Sequence, residues 1–97
     1  MPKSAQYWQD RAEQAVPLLE RALRATPRET QTRLYLAQAL VRLGRGPRAI
    51  QVLEAAPEDP DGRVHYLLSR TYQQQGSAEK ARRAMDEYRK RRKAVNP

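Results

Sequence analysis

The sequence offers few side chains that could do catalytic or metal chemistry. It contains one histidine, His65, and no cysteine, which excludes thiolate nucleophiles, disulfides and metal sites built from several His or Cys ligands. The acidic turn Glu58-Asp59-Pro60-Asp61 lacks the ligand spacing and the closing Glu of a calcium loop. We expect Asp59 or Asp61 to accept backbone N–H groups at a helix start, and His65 to be a packing residue. The sequence therefore predicts no enzyme and no cofactor.

The strongest chemical signal is positive charge. The 97 residues carry a net charge of +8 and the pI is about 10.4, which favours anionic partners such as acidic peptides or nucleic acid. A run of five cations near the end could contact such a partner: Arg89, Lys90, Arg91, Arg92 and Lys93. The alternative is a solvated helix end, since basic residues suit a helix C-terminus. No aromatic residue interrupts the run to stack on bases, so nucleic acid is the less favoured partner.

Tyr7 and Trp8 form the one strongly aromatic pair. One interpretation is that they pack against Leu19 or Leu23. The other is that they form an exposed anchor for a partner or for a second copy of the chain, since interfaces are enriched in Trp and Tyr.

The elements that position these residues are predicted to be helices. Ala, Leu, Arg, Gln and Glu dominate, and all are good helix formers. Turn residues divide the chain into helices near 12–25, 30–43, 47–56, 62–75 and 78–94. Residues 4–10 form a further short helix or extend the first one backward, and Pro17 argues against one smooth helix there. The fold class is all-α.

The helices repeat. Three apolar residues, Ala15, Leu19 and Ala22, recur 34 positions later as Ala49, Leu53 and Ala56. A longer set recurs 32 positions later: Leu36, Leu40, Gly44, Ala49 and Leu53 become Leu68, Tyr72, Gly76, Ala81 and Met85. Small residues at fixed positions let helices approach closely, and the large ones fill the space between them.

This pattern resembles the tetratricopeptide repeat, a pair of antiparallel helices A and B. One unit matches at Arg33, Leu36, Ala37, Leu40, Gly44, Ala49, Leu53 and Ala56, and the next at His65, Leu68, Ser69, Tyr72, Gly76, Ala81, Met85 and Tyr88. The resemblance implies a right-handed antiparallel solenoid of about five helices in one domain, 1–97. It divides into a half repeat at about 12–27, full repeats at about 30–60 and 62–90, and a basic end at 89–97.

The resemblance also implies a binding surface, because the A helices of this family line a concave groove that takes a peptide. Here the groove stripe is Gln31, Leu34, Gln38, Arg42, Arg63, Tyr66, Arg70 and Gln73. The primary hypothesis is a protein-interaction module whose partner is a protein or peptide, acidic in character. The alternatives are a subunit that self-associates through its open solenoid ends, forming a homo-oligomer, and a basic nucleic-acid-binding accessory.

The sequence contains no apolar run of membrane-spanning length, and its N-terminus lacks the apolar stretch of a secretory signal. A cytoplasmic location is the default expectation. If the chain is a piece of a longer repeat array, the remainder could carry a targeting signal.

Overall fold

The computed structural model describes residues 4–95, and these form five α-helices without a strand. The helices are α1 (Ala5–Ala25), α2 (Thr30–Arg42), α3 (Gly46–Glu54), α4 (Arg63–Gln74) and α5 (Ala78–Val95). The all-α prediction is confirmed, and the last four helices begin and end within two residues of the predicted bounds. Within 4–95, none of the helices is both long and apolar enough to cross a membrane.

The first helix follows one of the two predicted alternatives but is not interrupted at Pro17. Residues 5–10 extend it backward, and it continues without interruption through Pro17. Ser4 begins the helix by accepting a hydrogen bond from the backbone N–H of Tyr7 at 3.2 Å. Pro17 cannot donate to the carbonyl of Glu13, but both residues are exposed, so water can bind that carbonyl. The argument from Pro17 against a single helix was therefore wrong.

Consecutive helices pack against each other as antiparallel neighbours, and α2 also contacts α4. Gly44 and Gly76 make the two tight reversals, with φ of +74° and +80°, a left-handed conformation that glycine adopts without steric cost. The α2–α4 contact places the first helices of the two pairs side by side. This arrangement is the predicted helix-pair solenoid.

The core lies between the helices and is made mostly of Leu, Val and Ala. Its buried members are Val16, Leu34, Leu36, Ala37, Leu40, Ala49, Val52, Leu53, Val64, Leu68, Tyr72, Ala81 and Ala84. The small residues lie where helices approach most closely, as the repeat pattern predicts. Ser69 also fits there, because its hydroxyl donates to the carbonyl of Ala81 at 2.9 Å and leaves no buried polar atom unpaired.

Arg33 is buried at a position where the repeat pattern usually has a large aromatic residue. Its guanidinium donates twice to the carbonyl of Pro27, at 3.2 and 2.7 Å, and once to the carbonyl of Val52, at 3.1 Å. Burial lowers the pKa of Arg33 below its ordinary value. The side chain thus ties α2 to the turn before it and to α3, a structural role that the hydrophobic pattern did not reveal.

Candidate functional site

The two A-type helices, α2 and α4, form a surface with an unusual charge composition. Together they carry four arginines, Arg33, Arg42, Arg63 and Arg70, and neither helix contains an Asp or Glu. Arg33 is buried in the core, so the guanidinium groups of the other three remain accessible. The acidic residues of the helices lie on α1, α3 and α5 instead. The surface is therefore locally more positive than the chain as a whole.

Arg63 connects the two helices. Its Nη1 donates to the side-chain oxygen of Gln31 on α2 at 3.1 Å, and its Nε lies 2.9 Å from a carboxylate oxygen of Asp61. Burial acts to raise the pKa of Asp61, but hydrogen bonds from the backbone and side chain of Arg63, together with its charge, outweigh it and hold that pKa below its ordinary value. Gln31 and Arg63 are thus held in place before any partner binds.

A second cluster lies along α4. Tyr66 is 40% exposed, and its ring centroid lies 5.1 Å from that of Tyr88 on α5. Arg70 donates to the Tyr66 hydroxyl at 3.4 Å, with its guanidinium carbon 6.0 Å from the ring centroid. Gln73 is exposed one turn further along. The tyrosine fixes the direction of the arginine, which remains accessible to an anionic group.

On α2 the structure keeps part of the predicted stripe and corrects one member. Gln38 and Arg42 are exposed. Leu34 is only 4% exposed and belongs to the core, so its placement on the groove surface was wrong. The helix packs against α1, α3 and α4, and this leaves only a narrow accessible strip. Tyr35, which is 53% exposed, lies on that strip and was not predicted.

An apolar cleft opens between α1 and α2, and we call it the N-terminal cleft. It is lined by Trp8, Arg11, Ala12, Ala15, Leu18, Leu19, Tyr35, Gln38, Ala39 and Arg42. Trp8 is 45% exposed, its ring meets that of Tyr7 edge-on at 5.1 Å, and the guanidinium of Arg42 lies 5.9 Å from its centroid. The cleft brings the predicted aromatic anchor together with Gln38 and Arg42 of the groove stripe.

The basic run on α5 is not uniform. Arg91 is half-buried: its Nη1 donates to the carbonyl of Asp59 at 2.8 Å and its Nε to Glu87 at 3.2 Å. Arg89 lies 3.6 Å from Asp86 on the surface. Lys90, Arg92 and Lys93 are exposed. The run therefore presents fewer accessible cations than the sequence indicates, because Arg91 holds the end of α5 to the preceding turn.

The acidic turn does what the sequence predicts. Asp61 accepts from the backbone N–H of Arg63 at 3.2 Å, and Asp59 accepts from those of Val64 and His65, each at 3.0 Å. His65 packs half-buried against Asp59. Across the described residues, no group of three or more His, Asp or Glu side chains is arranged to hold a metal ion. Asp59, Asp61 and His65 are therefore engaged in structure.

A family model for the tetratricopeptide repeat matches residues 9–63, more than half of the chain. The chain belongs to the tetratricopeptide repeat family. A second tetratricopeptide repeat model matches residues 62–87. The fold is thus that of a family of protein-interaction scaffolds without catalytic activity.

Solved structures of MamA share this tetratricopeptide repeat fold. MamA MSR-1 C2 is 29% identical with a TM-score of 0.83, covering 94% of this chain and 52% of that one. MamA AMB-1 P212121 is 29% identical with a TM-score of 0.81, covering 93% and 55%. MamA AMB-1 C2221 is 30% identical with a TM-score of 0.76, covering 89% and 51%. The chain spans about half the length of these relatives. No curated protein matches it.

Proposed function

We propose that this tetratricopeptide repeat chain is an interaction module that binds an extended, acidic or amide-rich segment of a partner protein along α2 and α4. Seven residues form the proposed contact surface, hereafter the groove: Gln31, Gln38, Arg42, Arg63, Tyr66, Arg70 and Gln73. These are the members of the sequence-predicted stripe that remain accessible or half-buried.

The charge composition of α2 and α4 is the main support for this proposal. Arg42, Arg63 and Arg70 are accessible on helices that contain no carboxylate. A guanidinium binds a carboxylate through paired, charge-assisted hydrogen bonds. An acidic segment therefore meets Arg42 and Arg70 without a competing acid on the same helices, and meets Arg63 beside its partner Asp61. A basic segment meets like charge.

The polar groups of the groove suit an extended backbone. The side-chain amides of Gln31, Gln38 and Gln73 each offer both a donor and an acceptor, which matches the alternating carbonyl and N–H groups of a peptide. The contacts of Gln31 with Arg63, and of Tyr66 with Arg70, hold these four side chains of the groove in place. Such preorganisation lowers the conformational cost of binding.

A pair of matched peptides tests the proposed function. The two share length and composition except that each Glu of one is replaced by Lys in the other. Fluorescence anisotropy should show that the chain binds the acidic peptide and that this affinity falls as salt rises, because the contacts are charged and accessible. Equal affinity for the two peptides, or preference for the basic one, would contradict the proposal.

A further inference from the structure

The N-terminal cleft gathers several exposed apolar side chains. Three of its lining side chains, Trp8, Leu18 and Tyr35, are among the large hydrophobic residues left exposed, at 45, 63 and 53%. Contiguous exposed apolar surface with a polar rim is typical of an interaction site. The internal repeat shows what kind of element such a surface receives.

The cleft face of α1 is equivalent to a face of α3 that is already covered. The 34-residue offset relates Ala15, Leu18 and Leu19 of α1 to Ala49, Val52 and Leu53 of α3. On α3 these positions are 0, 2 and 1% exposed, and α3 packs between α2 and α4. Leu18 is 63% exposed whereas its equivalent Val52 is 2% exposed, so the two copies of the repeat differ most clearly at this position.

The relation between the copies indicates that the cleft face of α1 fits a helix. α3 has the A-type helix of its own pair, α2, packed against it, and α2 also contacts the next A-type helix, α4. The equivalent position beside α1 and α2 is the N-terminal cleft, and no helix of residues 4–95 lies there. A helix equivalent to α2 at this position would contact α1 and α2, as α2 contacts α3 and α4, through one apolar stripe.

We propose that the N-terminal cleft binds an amphipathic helix of a partner protein whose apolar stripe is flanked by acidic residues. Charge complementarity selects this occupant. The rim carries Arg11 and Arg42, no lining residue is acidic, and each guanidinium is held 5.9 Å from an aromatic centroid, Tyr7 for Arg11 and Trp8 for Arg42. Carboxylates beside the apolar stripe pair with these two cations.

The same charges disfavour an A-type helix of a second copy as the occupant. The chain carries a net charge of +8, and its A-type helices contain arginines without any acidic residue. Seating one of them in the cleft of another copy would bring like charges together at Arg11 and Arg42, which opposes association. The occupant therefore differs in charge from every A-type helix of the chain.

The cleft and the groove are separable by mutation although they meet at Gln38 and Arg42. Leu18 and Arg11 line the cleft alone, whereas Arg63 and Arg70 belong to the groove alone. Leu18 is largely exposed and Arg11 is exposed, so substitution at either position leaves the core intact.

Two stapled helical peptides of roughly 14 residues, about four turns, test this proposal. Both carry the same apolar stripe, flanked by Glu in one and by Lys in the other. By fluorescence anisotropy the chain should bind the Glu peptide at least about tenfold more tightly. Leu18→Asp should weaken that binding at least about tenfold, and Arg11→Glu should shift preference toward the Lys peptide. Arg82→Glu, an equal charge change on the exposed face of α5, should leave both affinities unchanged.

Three outcomes would overturn the proposal. One is equal binding of the two peptides, and another is unchanged binding by Leu18→Asp. The third is light scattering that shows self-association of the chain abolished by Leu18→Asp, which would make a second copy the occupant. Arg70→Glu distinguishes the two surfaces. It should weaken binding of an extended acidic peptide in the groove and leave the affinity for the stapled Glu peptide unchanged. The two binding proposals can therefore be disproved independently.

Discussion

The carboxylate of Asp59 accepts hydrogen bonds from both the backbone and the ring of His65. One of its oxygens lies 3.0 Å from the His65 backbone nitrogen and 2.6 Å from Nδ1, while the other accepts from the backbone of Val64 at 3.0 Å. The carbonyl of Asp59 accepts from Arg91. One residue therefore fixes both the start of α4 and the end of α5, and these positions set the direction of the groove face of α4.

Asp59→Ala should destabilise the fold by about 2 kcal/mol or more. The change removes a buried acceptor and leaves two helix N–H groups and the His65 ring without a partner. Urea unfolding followed by circular dichroism measures the loss. Asp86→Ala is the matched control, because the contact that Asp86 makes within residues 4–95 is an exposed pair with Arg89, worth less than about 1 kcal/mol. Equal losses from the two variants would contradict the role assigned to Asp59.

Tyr72 should make the fold sensitive to alkaline pH. Burial, reinforced by its hydrogen bond to the carboxylate of Glu54 and by that charge, raises the pKa of Tyr72 to about 12. In the unfolded chain a tyrosine has a pKa of about 10. The raised pKa favours the protonated phenol in the folded state, so this stabilisation is present below about pH 10 and is lost as the pH rises to about 12.

The size of this alkaline loss is about 2 to 3 kcal/mol for a shift of this magnitude. Tyr72→Phe should remove that part of the pH dependence, whereas Tyr35→Phe, at an exposed ring, should retain it. The measurement is the free energy of unfolding in urea at pH values between about 9 and 12. A Tyr72→Phe profile parallel to that of the unmodified chain would disprove the assignment.

Ala49→Trp should destabilise the fold by about 1 to 3 kcal/mol through overpacking. Ala49 is 0% exposed and lies on α3 between α2 and α4, where a large ring has no space. Ala94→Trp places the same side chain on the exposed end of α5 and should change the melting temperature little. If the Ala49→Trp variant has the same melting temperature as the unmodified chain, the close helix contact at this position does not exist.

The repeat spacing predicted the packing because it records which residues meet between helices. The small positions Ala37, Ala49 and Ala81 are buried as expected, since close helix approach requires them. The two positions where the pattern expects aromatic residues could not be interpreted from apolar periodicity. Arg33 and His65 occupy them through hydrogen bonds that apolar periodicity does not record: Arg33 donates to the carbonyl of Val52, 19 residues away, and His65 pairs with Asp59 in the preceding turn.

The candidate surfaces were less predictable than the core. Leu34 and Tyr66 are equivalent under the 32-residue offset, yet Leu34 is 4% exposed and Tyr66 40%. α2 lies between α1 on one side and α3 and α4 on the other, whereas α4 is the last A-type helix of the described chain. Exposure thus depends on a residue's place in the array, which a repeat pattern does not contain. Leu18 was missed for the same reason, since its repeat equivalent, Val52, is only 2% exposed.

The affinity of the Arg70→Glu variant for the acidic peptide tests binding in the groove most directly. Arg70 is exposed and Tyr66 is its described hydrogen-bond partner, so the substitution should alter the melting temperature little. Anisotropy titrations should show affinity reduced at least about tenfold, since an attractive charge becomes repulsive, while the Arg82→Glu control binds as the unmodified chain does. Equal affinity of Arg70→Glu and the unmodified chain, with both folded by circular dichroism, would contradict the account.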